Sequence, residues 1–453
     1  MKKKKFILLI SIILFLSLTV SFNNADQDRG IRRITVPVLR DIHVLKDNFR
    51  SREPQQRYAS HEVLVKFKPE LSDNEVETLL DVYQSQKIQR IPKLNVYQIQ
   101  IPEHYSVEEM VYVFDRNPDV EYAEPNFVAH ITATPNDSLF SDQYALHNTG
   151  QEIGVPGSPS GTARADIKAP EGWEETKGTK ETLIAIIDTG VDLLHPDLES
   201  KVVSGGRDFV NDDFDATDDH WHGTHIAGIA AAETNNNEGI AGVAWNCKIL
   251  PVKVLDEDGD GYYSWIADGI IWAADNGADV INMSFGGEAD ADILRDALNY
   301  AKAAGVVLVA SAGNDGDYVL YPAAYDEYCI AVAATDYNDE RLDWSNPGPE
   351  VDVAAPGERI ISCVPVWYWG QGSLPYGYAG GTSMAAPHVA GLAALIKDLK
   401  PWLRVDEIMD IIRYTADDVN SGTSPGFDDF IGYGRINMDR ALVPIKLATS
   451  SGK

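Results

Sequence analysis

Residues 182–188 read Thr-Leu-Ile-Ala-Ile-Ile-Asp, TLIAIID: five apolar residues that run into a carboxylate, followed by Thr189-Gly190. A short continuous apolar run bounded by a turn signal is the pattern of a strand buried on both faces, and such strands belong to parallel sheets. Similar runs return at Ile249–Leu255, Val280–Met283, Val306–Ala310, Ile330–Ala334 and Val351–Val353. Helix-length segments lie between them, such as Ser264–Asn276 and Ala291–Ala304. Strands alternating with helices predict an α/β fold, a doubly wound, mainly parallel sheet with helices on both faces.

Upstream the pattern differs. Glu62–Lys68 and Val96–Ile101 alternate like half-buried strands, and Asp73–Gln84 and Ser106–Asn117 are helical, the second opened by Ser106 with Glu109 three residues on. Val120–Asn126 closes the unit. Strand–helix–strand–helix–strand in about seventy residues predicts a small α+β, ferredoxin-like module at 58–132. Residues 26–57 are polar and irregular and read as a linker. Residues 1–25 begin with Lys2–Lys5 and continue into an apolar stretch from Phe6 to about Val20. That is a secretory leader, cleaved after Ala25; the run is short for the alternative, a membrane anchor. The 453 residues exceed one compact core, and 133–453 form the second domain.

Charge is concentrated in that second domain. Residues 1–132 carry 18 basic and 18 acidic side chains, residues 133–453 carry 20 and 51, and the whole net charge of −31 lies there. Such a surface repels nucleic acid and anionic membranes. Cys247, Cys329 and Cys363 form no C-x-x-C pair and suit buried thiols; Cys329 with Cys363 is the most plausible bridge if one forms.

Ligands of open parallel sheets gather beyond the carboxyl ends of the strands. Asp188 sits at such an end, as a turn cap or as the partner of a histidine. HWHGTHIAGIAAA offers His220, His222 and His225 at the start of an Ala-rich helix. His222 can face a cleft, and His222 with His225 is the rival metal pair. Asn314 ends another apolar run in VVLVASAGNDG, as a turn residue or as an amide donor to an oxyanion. Ser383, in GGTSMAAPHVAG at 380–391, is a helix N-cap or a nucleophile beside free backbone N–H groups. His388 falls on another side of that helix.

Each site alone is ambiguous. Together, IIDTGVDLLHPDL, HGTHIAG and GTSMAAPHVAG resemble, in order and spacing, the three signature segments of the subtilisin-like serine proteases, and ASAGN resembles that family's oxyanion-hole segment. The resemblance covers about residues 133–445. It implies a subtilisin-like fold and a serine endopeptidase in which Asp188 orients His222, His222 deprotonates Ser383, and Asn314 with the Ser383 N–H holds the oxyanion. Ser284, Phe285 and Gly286 in MSFGG would line the substrate, as would Gly261. Leu320 would floor and shorten the primary pocket, which implies broad specificity with apolar P1 residues.

TATPNDSLFSDQYAL resembles the start of the mature chain in the thermitase-like branch. In that branch an aspartate near the new N-terminus, another in a DFV segment and an asparagine-rich loop hold structural Ca²⁺. This implies Asp137 and Asp208, with Glu233 and Ile240 through carbonyls and Asn236 and Glu238 through side chains. Asn211–Asp219 is a second acidic cluster, as a further ion site or a solvated loop. The 58–132 module resembles the inhibitor-type propeptide of these proteases, which implies a secreted, monomeric enzyme, self-cut between His130 and Pro135, with protein substrates and its own propeptide as partners. A selective processing protease and an inactive binding homologue are the alternatives. The aromatic insert CVPVWYWGQGSLPYGYAG departs from the family pattern, as a rim of the groove or a packing loop.

Overall fold

Two short strands, β1 (Ser17–Ser21) and β2 (Arg33–Pro37), pair antiparallel at the start of the chain. The structure is a computed structural model describing residues 17–21, 33–37, 58–128, 134–154, 157–368 and 374–443. The expected leader lies outside the described residues except for Ser17–Ser21, and the expected cut between His130 and Pro135 lies largely outside them. β2 falls in the stretch read as irregular; Ile34 and Val36 alternate within it. The chain divides into two compact units, Met1–Ile131 and Thr132–Lys453.

In the first unit, β3 (Tyr58–Phe67), α1 (Asp73–Val82), β4 (Gln86–Ile91), β5 (Val96–Gln100), α2 (Val107–Asp115) and β6 (Val120–Phe127) give a βαββαβ order. The four strands form an antiparallel sheet in the order β4-β5-β3-β6, the ferredoxin-like arrangement. Both helices start with a capping box, Ser72 with Glu75 and Ser106 with Glu109, which satisfies two N–H groups the first turn leaves free. Sequence reasoning missed β4, because all six of its residues are exposed and the apolar pattern is weak.

The second unit is built on a seven-stranded, wholly parallel sheet. Its strands are β7 (Leu183–Asp188), β8 (Arg207–Asp208), β9 (Lys248–Lys253), β10 (Val280–Met283), β11 (Val307–Ser311), β12 (Cys329–Thr335) and β13 (Val351–Pro356), in the order β13-β12-β11-β10-β7-β9-β8. The short β14 (Ile360–Cys363) and β15 (Tyr376–Ala379) form a separate antiparallel pair. β8 and β9 lie on one side of β7 and β10 to β13 on the other, so the strand order reverses between β7 and β10. A crevice opens at such a switch point. Asp188 ends β7 there, and Ser284 follows β10.

After the one-turn α3 (Ala169–Gly172), helices α4 (His222–Ala231) and α7 (Thr382–Leu399) share a core with one face of the sheet, whereas α5 (Tyr263–Asp275) and α6 (Asp292–Ala303) share a core with the other. In α7, 14 of 18 residues are buried, so it is a core helix, apolar all round. Truncating Leu392 or Ile396 to Ala there would cost about 2–5 kcal/mol. Cys247, Cys329 and Cys363 are free and buried.

Candidate active site

Helix α4 is aimed by one buried carboxylate. Asp218 accepts from the His220 and Trp221 N–H groups at 2.9 and 3.0 Å and from the Thr224 N–H at 3.0 Å. The Thr224 and Thr189 hydroxyls donate to it at 2.5 and 2.8 Å. It therefore caps the first turn and ties that turn to the loop after β7. Glycines allow the approach: a Cβ on Gly223 would lie 2.0 Å from the Gly190 carbonyl oxygen. His222, the first residue of α4, is thereby set over Asp188.

The His222 Nδ1–H donates to Asp188 Oδ1 at 2.8 Å. A carboxylate only accepts, so the neutral ring carries its proton on Nδ1 and leaves Nε2 basic. Asp188 also accepts from the Thr189 N–H at 2.8 Å. The Asp188 side chain is 0% exposed and that of His222 17%, so the pair opens to solvent only on the histidine side. Burial opposes charge on His222, but the charge and hydrogen bond of Asp188, with the charge of Asp218, outweigh it and raise its pKa above the ordinary 6.5.

Ser383 is the second residue of α7, where backbone N–H groups lack helical acceptors. Pro387 has no N–H to give the Ser383 carbonyl four residues back. The Ser284 hydroxyl fills that place, donating to Ser383 O at 2.8 Å. In return the Ser383 hydroxyl donates to the Ser284 carbonyl at 2.9 Å. The two segments are thus stitched together across the switch point, and the Ser383 hydroxyl is turned to Ser284 rather than to His222.

Asn314 is oriented by its oxygen. Its Oδ1 accepts from the Thr382 N–H at 2.8 Å and the Thr382 hydroxyl at 2.9 Å. The amide NH₂ is left to point outward, and a Cβ on Gly381 would lie 3.5 Å from Nδ2. A cleft of about 480 Å³, bounded by Asn314, Trp344, Arg359, Tyr378 and Gly381, opens beside it.

Residues 284–286 run past β10 and pair with no strand among the described residues. Leu320 packs on them: a Cβ on Gly286 would lie 2.6 Å from Leu320 Cβ. Phe285 packs half-buried on the core. Gly261 lies under the Val254 carbonyl, and the Tyr263 hydroxyl two residues on abuts Gly287. The other histidines are placed differently. Burial holds His225 down to about 3 and His388 down to about 4. His225 Nε2–H donates to the Gly377 carbonyl at 3.2 Å, and its Nδ1 is buried with no partner among the described residues.

The asparagine-rich loop folds over two carboxylates. Asp137 accepts from the Asn235 N–H with both oxygens, at 2.8 and 2.9 Å. Asp197 accepts from Asn236 Nδ2 at 2.8 Å, Ile240 N–H at 3.0 Å and Tyr376 OH at 2.9 Å. Asn236 Oδ1 accepts from the Glu238 N–H at 2.8 Å, and the Glu233 carboxylate is taken by the Ser200 hydroxyl. Asp208, also expected among the ligands, makes no hydrogen bond to this loop among the described residues. Its carboxylate closes its own turn, accepting from the Val210 and Asn211 N–H groups at 2.7 and 2.9 Å. Asp197, in the HPDL segment, stands in its place. Burial raises the pKa of both Asp137 and Asp197, and the charge of Asp197 adds to the shift of Asp137. Two buried carboxylates with no ion pair among the described residues, beside the Asn236 amide, fit a hard divalent cation such as Ca²⁺. Among the described residues no group of three acidic, His or Cys side chains could hold a metal, so carbonyl and amide oxygens would have to complete the set.

A model of the subtilase family, peptidase S8, matches residues 179–434, more than half of the chain. The chain belongs to the subtilase family. A model of the fervidolysin N-terminal prodomain matches residues 47–126. The subtilase is 42% identical over 390 residues to a thermophilic serine proteinase of Bacillus sp. (strain AK1), covering 85% of this chain and 88% of that one. It is 45% identical over 310 residues to thermitase of Thermoactinomyces vulgaris, covering 68% and 99%. The crystal structure of fervidolysin from Fervidobacterium pennivorans, a keratinolytic enzyme related to subtilisin, superposes with a TM-score of 0.56 at 30% identity, over 86% of this chain and 62% of that one. This subtilase is a subtilisin-like serine proteinase with a prodomain.

Proposed function

We propose that Asp188, His222 and Ser383 hydrolyse peptide bonds through an acyl-enzyme. The carrying observation is the 2.8 Å contact between Asp188 and His222 Nδ1 at the sheet's switch point, with no hydrogen bond to Nε2 among the described residues. Ser383 Oγ turns to His222 Nε2, gives it its proton and attacks the scissile carbonyl. Asp188 holds the ring and stabilises the imidazolium. The carbonyl oxygen, now anionic, accepts from the Ser383 N–H and Asn314 Nδ2. His222 then protonates the leaving amine, the C–N bond breaks, and water repeats the sequence on the acyl-enzyme. Ser284, Phe285, Gly286 and Gly261 flank the acyl side of the substrate, and Leu320 ends an apolar pocket for P1.

The prodomain match supports a zymogen whose 58–132 module chaperones folding, inhibits the site and is cut off by the enzyme itself. The basic and apolar leader supports export to the extracellular medium. Asp137, Asp197 and the Asn236 and Glu238 side chains, with the carbonyls of Glu233 and Ile240, would hold a structural Ca²⁺, which would neutralise the buried carboxylates and pin the mature N-terminal segment. Ser383→Ala tests the proposal. The variant should accumulate as uncut precursor without peptidase activity, and normal self-maturation of that variant would refute it.

A further inference from the structure

Trp221 is an unusual residue beside the site. It precedes His222, with φ 133° and ψ −26°. A bulky side chain is strained in that region, and strain of this kind persists where surrounding structure imposes it, commonly at functional sites. The ring is held by neighbours on several sides. It lies edge-on to His222 with centroids 5.7 Å apart and edge-on to His225 at 6.0 Å, and it stacks on His220 at 5.5 Å. Tyr368 of the aromatic insert packs on it at 6.0 Å, and Trp367 stands edge-on to Tyr368 at 5.9 Å. These separations suit favourable aromatic contact. The insert is moored nearby, the Val366 N–H donating to Asp192 Oδ2 at 3.1 Å. Trp367 is nonetheless 53% exposed and Tyr368 39%. Two large, partly exposed rings, joined through the Trp221 ring to His222, form an apolar surface that starts beside that histidine.

We propose that Trp221, Tyr368 and Trp367 form a shelf that binds apolar or aromatic residues on the leaving-group side of the scissile bond. The direction follows from the chemistry. His222 Nε2 gives its proton to the departing amine, so the amine nitrogen is at Nε2 when the bond breaks, and the chain beyond it leaves past His222. The shelf begins at the neighbouring side chain. Ser284–Gly286 and Leu320 serve the acyl side instead. The inference rests on the proposed role of His222.

The test uses the mature enzyme and internally quenched peptides with one acyl side, differing only in the two residues after the scissile bond, Leu-Phe or Gly-Gly. A methyl ester of the same acyl side has a leaving group too small to reach the shelf. Wild type should favour Leu-Phe by about tenfold in kcat/KM, the scale of an apolar pocket contact. Trp221→Gly, which accepts positive φ, should bring the ratio close to one. Tyr368→Ser with Trp367→Ser, on the exposed insert, should lower it independently of residue 221. Ester hydrolysis with a flat wild-type ratio, or a ratio unchanged in both variants, would overturn the shelf alone. Failure of wild type to cleave ester and peptides alike would overturn the proteolytic assignment and the shelf with it.

Discussion

Replacing Asp218 should damage both stability and the pH profile. In Asp218→Ala, three backbone N–H groups, those of His220, Trp221 and Thr224, lose their acceptor. The Thr189 and Thr224 hydroxyls can turn elsewhere; the N–H groups cannot. A buried donor left unpaired costs ~1–3 kcal/mol. His220 is half-buried, so water can reach its N–H, and the variant no longer buries a carboxylate whose pKa burial raises. The net loss is about 2–4 kcal/mol. It is measured by urea unfolding in a Ser383→Ala background, where the chain cannot digest itself. The charge of Asp218 also helps to raise the pKa of His222. Asp218→Asn, which keeps the shape and removes that charge, should move the acid limb of kcat/KM to lower pH. Unfolding within about 0.5 kcal/mol of the parent for the alanine variant, with an unmoved acid limb for the asparagine variant, would refute this account of how His222 is held.

Asn314→Ala should lower kcat by ~10²–10³ with little change in KM, the loss known for an oxyanion donor of this family. Catalysis needs neutral His222, so kcat/KM should rise through a pKa above 6.5. The ion pair with Asp188 has the opposite sense, stabilising the fold fully below the unfolded-state value and fading as pH rises through the folded one. A chelator should lower the melting temperature of the mature enzyme. Because Asp137 and Asp197 have raised pKa values when folded, protonation favours the metal-free fold, and the chelator's effect should shrink as pH falls through the carboxylate range. Leu320→Ala should deepen the P1 pocket and raise kcat/KM for Phe at P1 about tenfold relative to Ala at P1.

The sheet was legible because its strands are buried on both faces. Val280–Met283 is bounded in the structure as in the sequence, and the other apolar runs differ by one to three residues at their ends. β8 and β4 were not legible: the first is Arg207–Asp208 alone, and the second is exposed throughout. Asp188, His222 and Ser383 could be singled out because each lies at a strand end or helix start close to a glycine. Asp218 could not be separated from its acidic neighbours, although an Asp before a helix with Thr224 in its first turn is a capping signal. Asp208 and Asp197 both follow plausible patterns in sequence, and only the fold brings one of them to the asparagine-rich loop. The exchange of hydroxyl and carbonyl between Ser284 and Ser383 joins residues 99 apart, and no local pattern announces it.

The most direct test of the central claim is covalent. The mature enzyme should be treated with a fluorophosphonate, digested and mapped by mass spectrometry, beside a folded His222→Ala variant. A single adduct on Ser383, lost in the variant, is the expected result. An enzyme that cleaves peptides with Ser383 unlabelled, or undiminished labelling without the imidazole, would contradict it.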